Sequence, residues 1–164
     1  MNFSMAPTAN SVTLYTDGAC SRNPGPGGYG AVILYGDGRR EELSAGYKMT
    51  TNNRMEMMGA IAALSYLEEP SQVLLYSDSR YVVDAMTKGW AKKWQAQGWQ
   101  RNAKEKAKNP DLWEIMLALC KKHQVTFQWV KAHAGNKENE RCDRLAVAAY
   151  QNNPSLVDKG FGKF

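Results

Sequence analysis

Four acids stand where carboxylates can do chemistry. Asp17 and Asp78 each follow a short strand pattern and precede small residues, in Thr16-Asp17-Gly18 and Ser77-Asp78-Ser79, so neighbours crowd neither side chain. Either one alone fits a turn or a helix cap. Two of them favour a site, because open α/β sheets bind ligands beyond the carboxyl ends of their strands. Glu56 alone reads as a helix cap, and Asp143 alone as one of a solvated group with Glu138 and Glu140. Four carboxylates brought into one pocket would repel and would need a cation to stay ionised. Hard oxygen ligands suit Mg²⁺ or Mn²⁺, ions that keep several waters and bind phosphate oxygens. His133, in Lys131-Ala132-His133-Ala134-Gly135, lies in a loop where an imidazole is either a solvated surface group or a proton shuttle. His123, at the end of a helix, has only the structural reading.

The elements that must position these groups follow from periodicity. Val12, Leu14 and Thr16 alternate as a strand that stops at Asp17-Gly18, and the prolines and glycines of Asn23 to Gly28 predict a turn-rich loop. Ala31 to Tyr35, Gly36-Asp37-Gly38 and Glu41 to Tyr47 form a hairpin pattern. A helix begins near Asn53 as N-cap, buries Met57, Ala60, Ile61 and Leu64, and ends before Pro70. Gln72 to Tyr76 is a strand, Tyr81 to Met86 a helix, and Asn109-Pro110-Asp111 opens a helix whose apolar residues are Leu112, Ile115, Met116 and Leu119. Val125, Phe127 and Trp129 alternate as a strand, and Glu138 to Tyr150 returns to helix with Cys142, Leu145, Ala146 and Ala149 on one face. Three antiparallel strands followed by strands alternating with helices imply a mixed α/β sheet with parallel pairing in its second half.

The chain has 164 residues, 43% of them hydrophobic and 23% charged, which is one domain's worth of sequence with material for a single core. We expect a domain over 11–151, a basic protrusion at 88–108 within it, and soft tails at 1–10 and 152–164. No apolar run reaches 18 residues, and the opening segment has neither a basic start nor an apolar stretch, so a soluble, cytoplasmic protein without membrane contact is expected. Three widely spaced cysteines without a C-x-x-C pair argue against a disulfide framework and a zinc site.

The net charge is +5, and its location carries the information. From Lys88 to Lys108 seven cations face Glu105 alone, a local balance of +6, whereas the remaining 14 cations and 15 acids leave −1. A basic patch on a nearly neutral body is the footprint of a protein that meets a polyanion, nucleic acid first among candidates. Trp90, Trp94 and Trp99 interleave with Lys92 and Lys93 there, either as stacking faces for nucleic acid or as packing for the segment. Beside a carboxylate site for divalent metal, such a patch points to phosphodiester chemistry.

These residues fall in recognisable blocks. Tyr15-Thr16-Asp17-Gly18-Ala19-Cys20, Asn23 to Gly30, Thr51-Asn52-Asn53-Arg54-Met55-Glu56, Ser77-Asp78-Ser79, His133-Ala134-Gly135 and Glu138 to Asp143 occur in one order over about residues 12 to 150. Together they resemble bacterial type 1 ribonuclease H. The resemblance implies a three-layer ribonuclease H-like fold with a five-stranded mixed sheet, helices on both faces and a basic protrusion. It also implies an endonuclease that cuts the RNA strand of RNA–DNA hybrids, leaving 5′-phosphate and 3′-hydroxyl ends, with a monomer expected. By the same resemblance Asp17, Glu56, Asp78 and Asp143 match the family's carboxylates for two Mg²⁺ ions, with Mn²⁺ as a substitute, and His133 matches its mobile histidine. Gly18, Cys20, Asn52 and Glu56 match groups that face the RNA 2′-hydroxyl, and Asn23 and Thr51 seat the DNA backbone. Arg80 stands where the family often has Gln, which leaves the contact at that position open. Two alternatives remain at this point: a metal-dependent DNA nuclease of the same fold, and a non-catalytic hybrid-binding module.

Overall fold

The strand Ser11–Cys20 (β1) carries Val12, Leu14 and Thr16 on one face, all buried. In the computed structural model, which describes residues 10–163, it is the middle of a five-stranded sheet. Gly25–Tyr35 (β2) and Arg40–Thr50 (β3) follow as an antiparallel meander, then helix Asn52–Tyr66 (α1), strand Gln72–Ser77 (β4), helices Arg80–Thr87 (α2), Trp90–Ala96 (α3) and Pro110–Lys122 (α4), strand Gln124–Trp129 (β5) and helix Lys137–Gln151 (α5). The spatial order is β3-β2-β1-β4-β5, antiparallel on one side of β1 and parallel on the other, as the mixed pattern predicted.

The face of Val12 and Leu14 packs with Ile33, Val73, Leu75 and Phe127 against Met57, Ala60 and Leu64 of α1, and α4 adds Leu112, Trp113, Met116 and Leu117. The buried α4 face is Leu112, Trp113, Met116 and Leu117, in place of the expected Leu112, Ile115, Met116 and Leu119, of which Leu119 is partly buried against the core. Ile115 is 46% exposed, because Trp113, fully buried beneath Tyr81, sets the helix rotation. On the opposite sheet face α5 lies across β1, β2 and β3, burying Cys142 and Ala146.

Three local differences from the expected pattern have physical causes. β1 runs through Asp17-Gly18 to Cys20, and Gly25 to Gly28 are strand rather than loop, because Cys20 and Gly27 pair and the meander continues into the glycines. A Cβ at Gly30 would run into the Cys142 carbonyl oxygen, so glycine there lets α5 approach the sheet. Helix α1 is capped by Thr51, whose Oγ1 accepts from the Arg54 amide at 3.2 Å, and not by Asn53, so Glu56 lies beyond the capping turn. The segment from 152 onward is also tied down. Leu156 accepts from the Lys48 amide at 2.9 Å beside β3, and Asp158 is buried against Arg54.

Candidate active site

Register builds the site. Thr16 of β1 pairs with Ser77 of the parallel neighbour β4, and Ser77 with Trp129 of β5, so β4 and β5 end level with Thr16 while β1 runs on along β2 to Cys20. The next residues, Asp17 and Asp78, therefore stand side by side at one sheet edge. Glu56 reaches the same edge because α1 crosses β1 at Gly18, where a Cβ would collide with the Glu56 amide nitrogen and the Met55 backbone. The Gly18 amide donates to Asp17 Oδ1 at 2.9 Å and to Glu56 Oε1, holding both carboxylates on one backbone donor.

Ligand oxygens of Asp17, Glu56 and Asp78 lie within 4.8 Å of one another. Asp143 lines the same cleft, of about 460 Å³, with His133, Cys20, Asn52 and Arg80, but is not one of that close group. Burial, with the charges of Asp78 and Asp143 added, pushes the Asp17 carboxyl up to about 8 against the opposing hydrogen bond with Glu56. Burial and the Asp17 charge also raise Glu56 well above the ordinary range. Crowded carboxylates that offer only oxygen donors are the ligand set of a hard divalent ion. Burial pushes the Cys20 thiol up to about 11, so it stays neutral near pH 7 and is not poised as a nucleophile.

Two supporting residues escaped the sequence reading. Asn139, buried in the first turn of α5, donates from Nδ2 to Asp78 Oδ2 at 3.2 Å, and Trp129 Nε1 donates to the Asp78 carbonyl at 3.1 Å. His133 sits at φ 54° in the loop before α5, the left-handed region, two residues before Gly135 at φ 82°.

The expected substrate contacts divide among three adjoining cavities. Gly18, Cys20, Asn52 and Arg80 belong to the carboxylate cleft. Asn23 and Thr51 line a second cavity of about 320 Å³, where Asn23 Oδ1 accepts from the Asn52 amide at 3.1 Å. Trp90, Lys93 and Trp94 line a third of about 460 Å³ under the basic segment. Asn53 borders all three and Tyr81 two of them, so the three cavities are neighbours around the start of α1. Trp94 and Trp99 also pack on the core, Trp94 with its ring centroid 6.1 Å from that of Trp113, so packing accounts for part of the tryptophan pattern. Lys92 and Trp99 line none of these cavities.

Comparison with known proteins decides the family. The ribonuclease H family model matches residues 9–151. The chain is a bacterial type 1 member of the ribonuclease H family. It is 90% identical to ribonuclease HI of Synechocystis sp. over 98% of its own length and all of that protein, and 60% identical to ribonuclease H of Trichodesmium erythraeum over 96% and 99%. Among solved structures, the type 1 ribonuclease H LC9-RNase H1 superposes with a TM-score of 0.76 at 32% identity, covering 88% of this chain and 74% of that one. LC11-RNase H1, solved with an RNA/DNA hybrid, superposes at 0.65 with 25% identity over 86% and 97%.

Proposed function

We propose that this ribonuclease H hydrolyses the RNA strand of RNA–DNA hybrids at the Asp17, Glu56 and Asp78 cluster, giving 5′-phosphate products. The observation that carries the reading is the convergence of those carboxylates in a cleft that shares Asn53 and Tyr81 with the cavity lined by the basic segment. Family membership and a hybrid-bound structural relative support the substrate. The residues fit Mg²⁺, with Mn²⁺ as a substitute, since all the donors are oxygens and three of the acids are crowded together. The chemistry a divalent pair supplies when bound is activation of water and stabilisation of charge on the leaving 3′ oxygen.

What remains falls to the protein's own side chains. Asp17, central among the acids, would be shared between the two positions, with Glu56 and Asp78 on one side and Asp143 on the other. The Gly18 amide keeps Asp17 and Glu56 aimed together, and Asn139 holds one oxygen of Asp78. His133 moves a proton at the cleft mouth and aids product departure. Gly18, Cys20, Asn52 and Glu56 would meet the RNA 2′-hydroxyl, Asn23 and Thr51 the DNA backbone, and Trp90, Lys92, Lys93, Trp94 and Trp99 the duplex beyond it. No helix among the described residues is long and apolar enough to cross a membrane. We assign the catalytic domain to 11–151, with 88–108 as its protrusion, acting as a cytoplasmic monomer.

The test is cleavage of strand-labelled RNA–DNA hybrid, double-stranded RNA and double-stranded DNA, each with Mg²⁺ and with chelator. The reading requires loss of the RNA strand of the hybrid in Mg²⁺ alone. Cutting of DNA would make the protein a DNA nuclease of this fold, and binding without cutting a hybrid-binding module.

A further inference from the structure

Arg80 opens α2 and lines the carboxylate cleft, two circumstances that do not suit a cation kept for stability. At the first helical position its charge meets the positive end of the helix dipole. Among the described residues no carboxylate lies within 4.0 Å of its guanidinium, unlike those of Arg40, Arg54 and Arg141. What holds it is an aromatic face. The Arg80 guanidinium carbon lies 3.7 Å over the Trp129 ring, and Trp129 in turn donates to the Asp78 carbonyl. Arg80 is thus docked over a platform bonded to a residue of the carboxylate cluster, and among the described residues its N–H donors make no side-chain hydrogen bond that would keep them from a ligand.

We infer that Arg80 binds a non-bridging phosphate oxygen of the RNA strand next to the cleaved phosphodiester. A guanidinium fork fits phosphate geometry, and the unpaired positive charge gains most from an anion. A base edge would leave that charge uncompensated. The inference rests on the nuclease reading above and adds to it the atom that Arg80 contacts. Stacking on Trp129 fixes the side chain before substrate arrives, so little rotamer freedom is lost on contact.

The experiment is hybrid binding in chelator, where no cleavage occurs, at a series of salt concentrations. Arg80→Gln should make the plot of log affinity against log salt shallower by about 0.7 to 0.9, the value of one phosphate contact, whereas Arg80→Lys should keep the wild-type slope. A single neutral methylphosphonate placed in the RNA strand beside the cleaved bond should weaken wild-type binding but weaken Arg80→Gln no further. The same substitution in the DNA strand should weaken both proteins equally. An unchanged slope in Arg80→Gln, or coupling to the DNA strand instead of the RNA strand, overturns the inference while cleavage of hybrid by the wild type leaves the nuclease reading standing. A wild type that neither binds nor cuts hybrid overturns both. A melting curve for Arg80→Gln that matches the wild type shows that the slope reports contact and not folding.

Discussion

Two acid clusters flank the start of α1, one built around an arginine and one made of carboxylates alone. Arg54 and Glu56 are two positions apart on the helix, about 200° around its axis, so one helical turn feeds both. On one side Arg54 spends its donors inside the protein. Nε and Nη2 bind Asp158 at 2.7 and 2.9 Å, Nη1 and Nη2 bind Asp111 at 3.0 and 2.7 Å, and Nη1 also reaches Asn109. Thr50 adds a hydroxyl to Asp158 at 2.7 Å. Against the burial that opposes it, Arg54 holds Asp111 below the ordinary carboxylate value. On the other side Glu56 meets Asp17 and Asp78 with no cation, and burial raises both Glu56 and Asp17. A satisfied cluster is structure. An unsatisfied one of similar depth is a site that waits for charge from outside, and it weakens the metal-free fold.

The contrast is sharpest under substitution. Asp17→Asn should lower hybrid cleavage by on the order of 10³-fold or more, since metal-assisted charge stabilisation supplies several kcal/mol. It should leave hybrid binding in place and raise the melting temperature, because the metal-free fold no longer bears the cost of keeping an acid protonated well above its ordinary value. Asp158→Ala does the reverse. With Arg54 left buried and half-paired, unfolding by denaturant should show a loss of about 3–5 kcal/mol, while Mg²⁺ affinity of the folded protein stays at the wild-type value. Asn139→Ala acts between the two clusters' behaviours: Mg²⁺ affinity, read from the metal-induced rise in melting temperature, should fall about 10–100-fold as Asp78 loses its positioning donor, with little change in metal-free stability.

The smallest effect per step is pH dependence. Asp17 binds its proton more tightly in the fold than in the unfolded chain, so between the ordinary Asp value of 3.8 and about 8 the folded state holds the extra proton. Metal-free stability should therefore fall as pH rises through that window, by at most about 1.4 kcal/mol per pH unit for one proton. Asp17→Asn should remove most of that slope, whereas a pH profile identical in the two proteins would separate Asp17 from the cluster's strain.

Local chemistry made part of this legible and left the rest hidden. Asp17 and Asp78 stood out because each follows an alternating pattern and precedes a small residue, and the mixed sheet followed from the same periodicity, although β1 itself runs on past Asp17 to Cys20. Glu56 resembled a cap in sequence, and only the true cap at Thr51 and the close crossing at Gly18 free it for the site. The glycines after Asn23 read as a loop by composition, yet cross-strand pairing with β1 and the approach of α5 make them strand. Arg54 and Asp158 are 104 residues apart, and Asn139 and Asp78 are 61 apart, so no local pattern signals either bond. The segment from 152 onward looked like a tail for the same reason: one long-range ion pair outweighs a polar, proline-containing composition.

The central claim is that the cleft's carboxylates keep a proton until a metal replaces it. Calorimetric titration of the protein with Mg²⁺ at pH 7, in two buffers of different ionisation enthalpy, measures that exchange directly. Release of about one proton or more on binding is predicted, because ligating carboxylates must ionise, and Asp17→Asn should reduce it. Mg²⁺ binding with no proton released would contradict the account, since Asp17 and Glu56 would then already be ionised side by side without a cation.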